Sequence, residues 1–224
     1  MSRYFDVTDL GERAQGISVA ADHVGAGSCV VVPTDTVYAI ACDAFSPQGL
    51  QGLQAAKGLS RLVNPQVLVP HVRTLDGLAT AVGPDARALA EAFWPGALTI
   101  ICRAQPTLNW ELGAADGTVA VRMPLHPVAL QLLERTGPLA VSGANLTGAP
   151  AATTCGEAQL QLADAVEVYL DGGPSTGGVP SSVVDTTGPT VRLLRAGAID
   201  AEGLRAVVPD LLVPGQMPDE VPAP

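Results

Sequence analysis

Between Thr8 and Val24 the apolar positions Leu10, Ala14, Ile17, Ala20, Ala21 and Val24 recur at the spacing of one helical face, and Gly25-Ala26-Gly27 closes the pattern. The period then changes. Ser28 to Pro33 is almost wholly apolar and β-branched, as in a strand covered on both faces. Further short runs predict strands at Gln66 to His71, Ala97 to Cys102, Thr118 to Arg122, Leu139 to Ser142, Val166 to Leu170, Ser181 to Asp185 and Val191 to Leu194. Helical patterns fall between them, at Pro47 to Lys57, Leu75 to Val82, Pro84 to Phe93, Pro127 to Arg135, Gly156 to Ala163 and Ala201 to Val207. Such alternation indicates an α/β fold, with helices packed on a mixed sheet. A chain of 224 residues suits a single domain, here expected over residues 1–208. After Pro209 the chain is rich in proline and acidic residues and reads as a flexible tail, residues 209–224.

Composition narrows the function classes. Twelve basic against 22 acidic residues give a net charge of −10, so general attraction to a phosphate backbone is disfavoured, although a local basic pocket stays open. No apolar run approaches the roughly 20 residues that span a bilayer, and the N-terminus lacks a signal-peptide pattern, so a cytoplasmic location is expected, with no membrane and no DNA partner. Cys29, Cys42, Cys102 and Cys155 form no C-x-x-C pair and read as buried free thiols. His23, His71 and His126 show no ligand spacing, so no transition-metal site is expected.

Chemistry is concentrated at strand ends. Pro33-Thr34-Asp35-Thr36 follows a buried strand, at the edge where open α/β sheets bind ligands, though the same residue types also cap helices and turns. Arg122 and Arg195 each end a strand, where a guanidinium can meet a carboxylate or phosphate in bidentate fashion or simply pair with a surface acid. Ser142-Gly-Ala-Asn145-Leu-Thr147-Gly148 is a loop of small residues whose backbone N–H groups can approach an anion. The glycine-rich stretch Asp171 to Gly178 is either a surface turn or a segment running close to a ligand. Walker and Rossmann motifs are missing, which argues against a P-loop NTPase and a dinucleotide dehydrogenase; Gly173-Pro-Ser175-Thr-Gly177 matches G-x-S-x-G by letter but leads into a predicted strand rather than a helix, so it makes no nucleophile elbow of a serine hydrolase.

Six segments in order resemble the YrdC-like threonylcarbamoyl-AMP synthase family. They are PTDTVYAIACDA at Pro33 to Ala44, FWPGALTI at Phe93 to Ile100, VAVRMPLHPVALQLL at Val119 to Leu133, AVSGANLTGAP at Ala140 to Pro150, SSVVD at Ser181 to Asp185 and LLRAGAI at Leu193 to Ile199. The resemblance implies the YrdC-like fold and a nucleotidyltransferase that forms threonylcarbamoyl-AMP and pyrophosphate from L-threonine, bicarbonate and ATP with Mg²⁺. Downstream threonylcarbamoyl-transfer proteins would pass the group to the adenosine next to the tRNA anticodon, so tRNA is a partner only indirectly. By the family's motifs, Thr36, Arg122 and Ser181 resemble threonine contacts. Lys57, Arg61, Thr118, Ser142, Asn145 and Arg195 resemble the nucleotide side, with Lys57 and Arg61 as the catalytic cations.

Three positions depart from the family pattern. Leu59 stands where the Lys-x-Arg signature has its arginine, with Arg61 two residues on. Gly143 replaces the serine of Ser-x-Asn, and Ser142, one residue earlier, would face the other side of an extended segment. Ala39 replaces a customary glycine. Two other readings therefore stay open: a paralogue binding a different nucleotide or acceptor, and a non-enzymatic RNA- or protein-binding module.

Overall fold

A computed structural model describes residues 2–59, 65–108, 110, 112 and 117–216. In chain order they form β1 (Arg3–Asp6), α1 (Leu10–Gly25), β2 (Val30–Val32), β3 (Ala39–Asp43), α2 (Pro47–Ala56), β4 (Gln66–Leu68), α3 (Leu75–Leu78), β5 (Ala79–Thr80), α4 (Pro84–Phe93) and β6 (Leu98–Ala104). There follow β7 (Thr118–Arg122), α5 (Pro127–Thr136), β8 (Leu139–Gly143), α6 (Cys155–Leu162), β9 (Val168–Asp171), β10 (Ser182–Asp185), β11 (Arg192–Arg195) and α7 (Ala201–Val207). The helices start where local chemistry allows. Asp9 and Ser46 accept from first-turn N–H groups of α1 and α2, Thr154 and Glu157 form a capping box on α6, and prolines begin α2, α4 and α5.

All strands join one mixed sheet in the order β1-β9-β2-β3-β8-β4-β7-β6-β10-β11, with β5 on β6. At its centre β3 runs antiparallel to both β2 and β8, and β4 is parallel to β7. Strand alternation divides the core in two. On one face Val31, Ile40, Val67, Ala140 and Val121 pack with Leu53 of α2, Leu89 of α4, Ala158 of α6 and Leu204 of α7. On the other, Val30, Val32, Ala39, Ala41, Leu68, Leu139 and Val141 meet Ile17 and Ala20 of α1 and Leu132 and Leu133 of α5. The four cysteines are free and buried, as expected. Among the described residues no helix is long and apolar enough to cross a membrane.

The α/β, mixed-sheet architecture is as the periodicity indicated, with α4, α7 and β7 at their expected bounds. Three strands were not foreseen. The edge strand β1 buries only Phe5, too little to show a period. In β3 Ala39 to Cys42 are all buried, so no alternation marks it. The helix expected over Leu75 to Val82 stops at Leu78, because β5 pairs Ala79 with Ala104 and Thr80 with Arg103, and Gln105 N–H donates to the Leu78 carbonyl. A short helix containing Gly77 gives way readily to such pairing. Within the segment expected as a tail, Leu211 is buried, Leu212 exchanges backbone hydrogen bonds with Val191 and Leu193, and Arg205 donates to the Leu211 carbonyl. Residues 217–224 lie outside the described residues.

Candidate active site

The sheet face that carries α1 and α5 is not covered along its whole length, and beside the helices it lines a cavity of about 500 Å³. Ala39 of β3, Val141 and Gly143 of β8, and Gln66 and Leu68 of β4 form its floor. Loops rim it with Thr34, Thr36, Lys57, Leu59, Asn145, Thr147, Pro180 and Ser181, while Arg122 and Arg195 enter from the last residues of β7 and β11.

At one end Arg122 is only 4% exposed and held on three sides. Its Nε donates to the Gly96 carbonyl at 2.9 Å, Nη1 to Thr36 Oγ1 at 2.9 Å, and Nη2 to Asp35 Oδ1 at 2.7 Å. Desolvation lowers the Arg122 pKa and the Asp35 charge opposes that shift, so the guanidinium keeps its proton. Three of its five N–H groups are used, leaving one on each terminal nitrogen without a protein partner among the described residues. Asp35 is itself fixed by the Leu125 N–H at 2.9 Å. Thr34 completes the turn, donating to the Val37 carbonyl at 2.6 Å and lying 3.0 Å from the Thr36 hydroxyl.

The glycine-rich segment is a surface loop, exposed from Thr176 to Pro180, that packs Gly172 and Gly177 against this turn. A Cβ on Gly177 would lie 2.7 Å from the Asp35 carbonyl oxygen, and one on Gly172 2.8 Å from the Pro33 ring, so these positions take no side chain. Tyr38 holds the segment, accepting from Gly172 N–H and donating to the Gly173 carbonyl.

The opposite end is built differently. Lys57 caps the C-terminus of α2, and its buried ammonium donates to the carbonyls of Gly143, at 2.7 Å, and Asn145. No carboxylate pairs with it among the described residues, and desolvation pushes its pKa down to about 8. Asn145 Nδ2 donates to the carbonyls of Leu146 and Ala149, both at 2.9 Å, which folds the 145–149 turn. Between the two ends, Arg195 donates to the Ser181 carbonyl and, at 3.1 Å, to its hydroxyl, which Thr99 also reaches at 2.8 Å. Burial lowers the Arg195 pKa as well. Lysine and two arginines, with Asp35 as the nearby carboxylate among the described residues, make a cationic cleft in an acidic protein.

Seven of the residues singled out in the sequence thus line one cavity: Thr36, Lys57, Arg122, Ser142, Asn145, Ser181 and Arg195. Thr118 does not; it opens β7, on the same sheet face as Arg122 by alternation but outside the lining. Arg61 lies outside the described residues. Thr34 and Asp35 entered only as members of the Pro33 to Thr36 segment, without a role of their own, and Gln66 was not singled out. The first two sit within the recognised motif, whereas nothing in the strand run Gln66 to Pro70 sets Gln66 apart.

The three departures also find their places. Leu59 lines the cavity. A Cβ at Gly143 would come within 2.5 Å of Asn145 Oδ1, so the carboxamide occupies the space a side chain there would need. Ala39 has no positive φ and is an ordinary β3 residue, so a glycine is not required. The cavity lining contains no carboxylate, and no cluster of three or more His, Cys, Asp or Glu suited to a metal occurs among the described residues. This donor set does not fit a protein-held Mg²⁺.

Residues 22–197 match the Sua5/YciO/YrdC family model, described as "Telomere recombination". A relative from Mycobacterium tuberculosis, provisionally named threonylcarbamoyl-AMP synthase, is 46% identical over 208 residues, 93% of this chain and 96% of its own. The threonylcarbamoyl-AMP synthase of Bacillus subtilis is 34% identical over 223 residues, 97% of this chain and 64% of its own. Among solved structures, Pyrococcus abyssi Sua5 complexed with L-threonine superposes with a TM-score of 0.83 at 31% identity. That match covers 88% of this chain but only 58% of the Sua5 chain.

Proposed function

This chain belongs to the Sua5/YciO/YrdC family, and from that premise we propose that it is a cytoplasmic threonylcarbamoyl-AMP synthase, forming threonylcarbamoyl-AMP and pyrophosphate from L-threonine, bicarbonate and ATP. The observation that carries the reading is one cavity with a carboxylate-binding arginine at one end and an unpaired, carbonyl-held lysine at the other. A relative complexed with L-threonine supports threonine as the amino acid.

In this reading Arg122 and the Thr36 hydroxyl receive the threonine carboxylate, with Asp35 holding the guanidinium in plane. The amine and bicarbonate condense to a carbamate with loss of water. A carbamate oxygen then attacks the α-phosphorus, and the bond to the bridging oxygen breaks as pyrophosphate leaves with its electrons. No protein nucleophile is needed: the chain aligns two anions and neutralises charge. Lys57 and Arg195 supply that neutralisation, Arg61 adds a further cation, and Ser142 and Asn145 contact the nucleotide. Mg²⁺ would arrive with the phosphates of ATP. The adenylate would pass to threonylcarbamoyl-transfer proteins acting on tRNA.

The decisive measurement is pyrophosphate release from ATP by the purified chain. Release that requires both threonine and bicarbonate, with threonylcarbamoyl-AMP as the co-product, is expected. Folded protein that releases none overturns the proposal. Leu59 in the cavity wall favours a second reading, a paralogue binding a different nucleotide; calorimetry would then show threonine binding without ATP binding.

A further inference from the structure

The cavity floor has one chemical irregularity. The positions that β3, β4 and β8 turn toward it by alternation are Ala39, Gln66, Leu68, Val141 and Gly143, and only Gln66 carries a polar side chain. Its neighbours across the ladder, Ala120 and Val141, are apolar. A carboxamide here is thus the polar group of an otherwise apolar floor, beside the polar rim at Ser181.

Nor is it committed to the fold. Gln66 Nε2 reaches Ser181 Oγ at 3.4 Å, at the limit of a hydrogen bond, while Thr99 and Arg195 approach the same oxygen at 2.8 and 3.1 Å. Ser181 is thus satisfied without Gln66. Among the described residues no donor to Gln66 Oε1 is present. A group offering both a donor and an acceptor over apolar surface is equipped to meet a hydroxyl, which needs one of each.

Its place along the strand suits the same partner. Leu68 is the register partner of Arg122, and Gln66 lies two residues back, ~7 Å along β4. An amino acid whose carboxylate meets Arg122 spans that interval together with the glutamine side chain. We infer that Gln66 is the residue by which this cavity selects an amino acid bearing a side-chain hydroxyl over its apolar isostere. The inference rests on the proposed reaction and assigns a specificity role within it. A pocket built to hydrogen-bond a hydroxyl discriminates through the groups left unpaired by the isostere, a stronger effect than loss of apolar contact.

The test uses the near-isosteric Gln66→Leu and the flexible Gln66→Met, each with threonine, serine and valine as amino acid. In the wild type, kcat/KM for threonine should exceed that for valine. In both variants this ratio should fall by about tenfold or more, with KM for ATP within about twofold of wild type. An unchanged threonine-to-valine ratio in either folded variant, or an equal loss for all three amino acids, overturns the inference. If the wild type releases no pyrophosphate with any amino acid, the proposed reaction fails instead. Calorimetric titration of wild type and Gln66→Leu with threonine and valine then still decides the selectivity of Gln66 by binding alone.

Discussion

The two ends of the cavity hold their cations by opposite means. Arg122 is paired with Asp35 and braced by Thr36 and Gly96, so its charge and orientation exist before any ligand arrives. Lys57 is equally buried but, among the described residues, meets carbonyl oxygens, and desolvation has pushed its pKa down to about 8. A carboxylate partner offsets the desolvation of a buried cation more strongly than carbonyl partners do. One end therefore holds its cation against a counter-charge and the other against backbone carbonyls.

The largest effect is expected from breaking the clamp. Arg122→Ala should cut threonine-dependent pyrophosphate release by about a thousandfold, ~4 kcal/mol of transition-state stabilisation. Asp35→Ala strands the guanidinium without its counter-charge and should lower unfolding stability by about 3–5 kcal/mol, read in a urea titration. An Asp35→Ala protein as stable as wild type would mean that the Arg122–Asp35 pair is not what fixes this end.

Lys57→Met tests the other end. Because the lysine has no carboxylate to abandon, stability should change little, while nucleotide affinity falls by about tenfold to a hundredfold in calorimetry. The pH dependence sharpens the contrast. Below about 8 the free enzyme already carries the Lys57 proton and ATP affinity is flat. Above it, binding must take up a proton, so affinity should fall by at most about tenfold per pH unit, and Lys57→Met should abolish that slope. Stability moves the other way: with the folded pKa depressed, the unfolded chain binds more protons between about 8 and 10.5, so Lys57 makes the fold more stable as pH rises through that window.

The smallest effects concern the departures from the family pattern. Leu59→Arg places a cation in the wall beside Lys57 and should raise turnover a few-fold, measured as kcat for pyrophosphate release. Gly143→Ser should lower activity, because its Cβ displaces the Asn145 carboxamide that folds the 145–149 turn. A gain of activity in Gly143→Ser would show that the carboxamide has another place to go.

Much of the fold was legible because helices of three turns bury one face and leave the other wet. α1, with Ile17, Ala20 and Val24 inward, is visible from its spacing alone. What escaped had lost that contrast. Neither β3, buried on both faces, nor β1, buried at a single residue, has a period to read, although β3 occupies the centre of the sheet. Site residues were legible where a motif concentrates them, as at Thr36, Arg122 and Asn145, and illegible at Gln66, an isolated polar residue in an apolar strand.

By itself the sequence determined the α/β class, the positions of most helices, the motifs of the family and the two arginines at strand ends. These depend on local spacing and on residue type, which the chain carries wherever it folds. Only the tertiary structure decided that Arg122 is paired with Asp35 while Lys57, among the described residues, meets backbone carbonyls. It also decided that Asn145 fills the space beside Gly143 and that Gln66 lines the cavity. Each of these depends on strands distant in sequence meeting in one register, and the charge state of a buried group is set by the neighbours that register supplies.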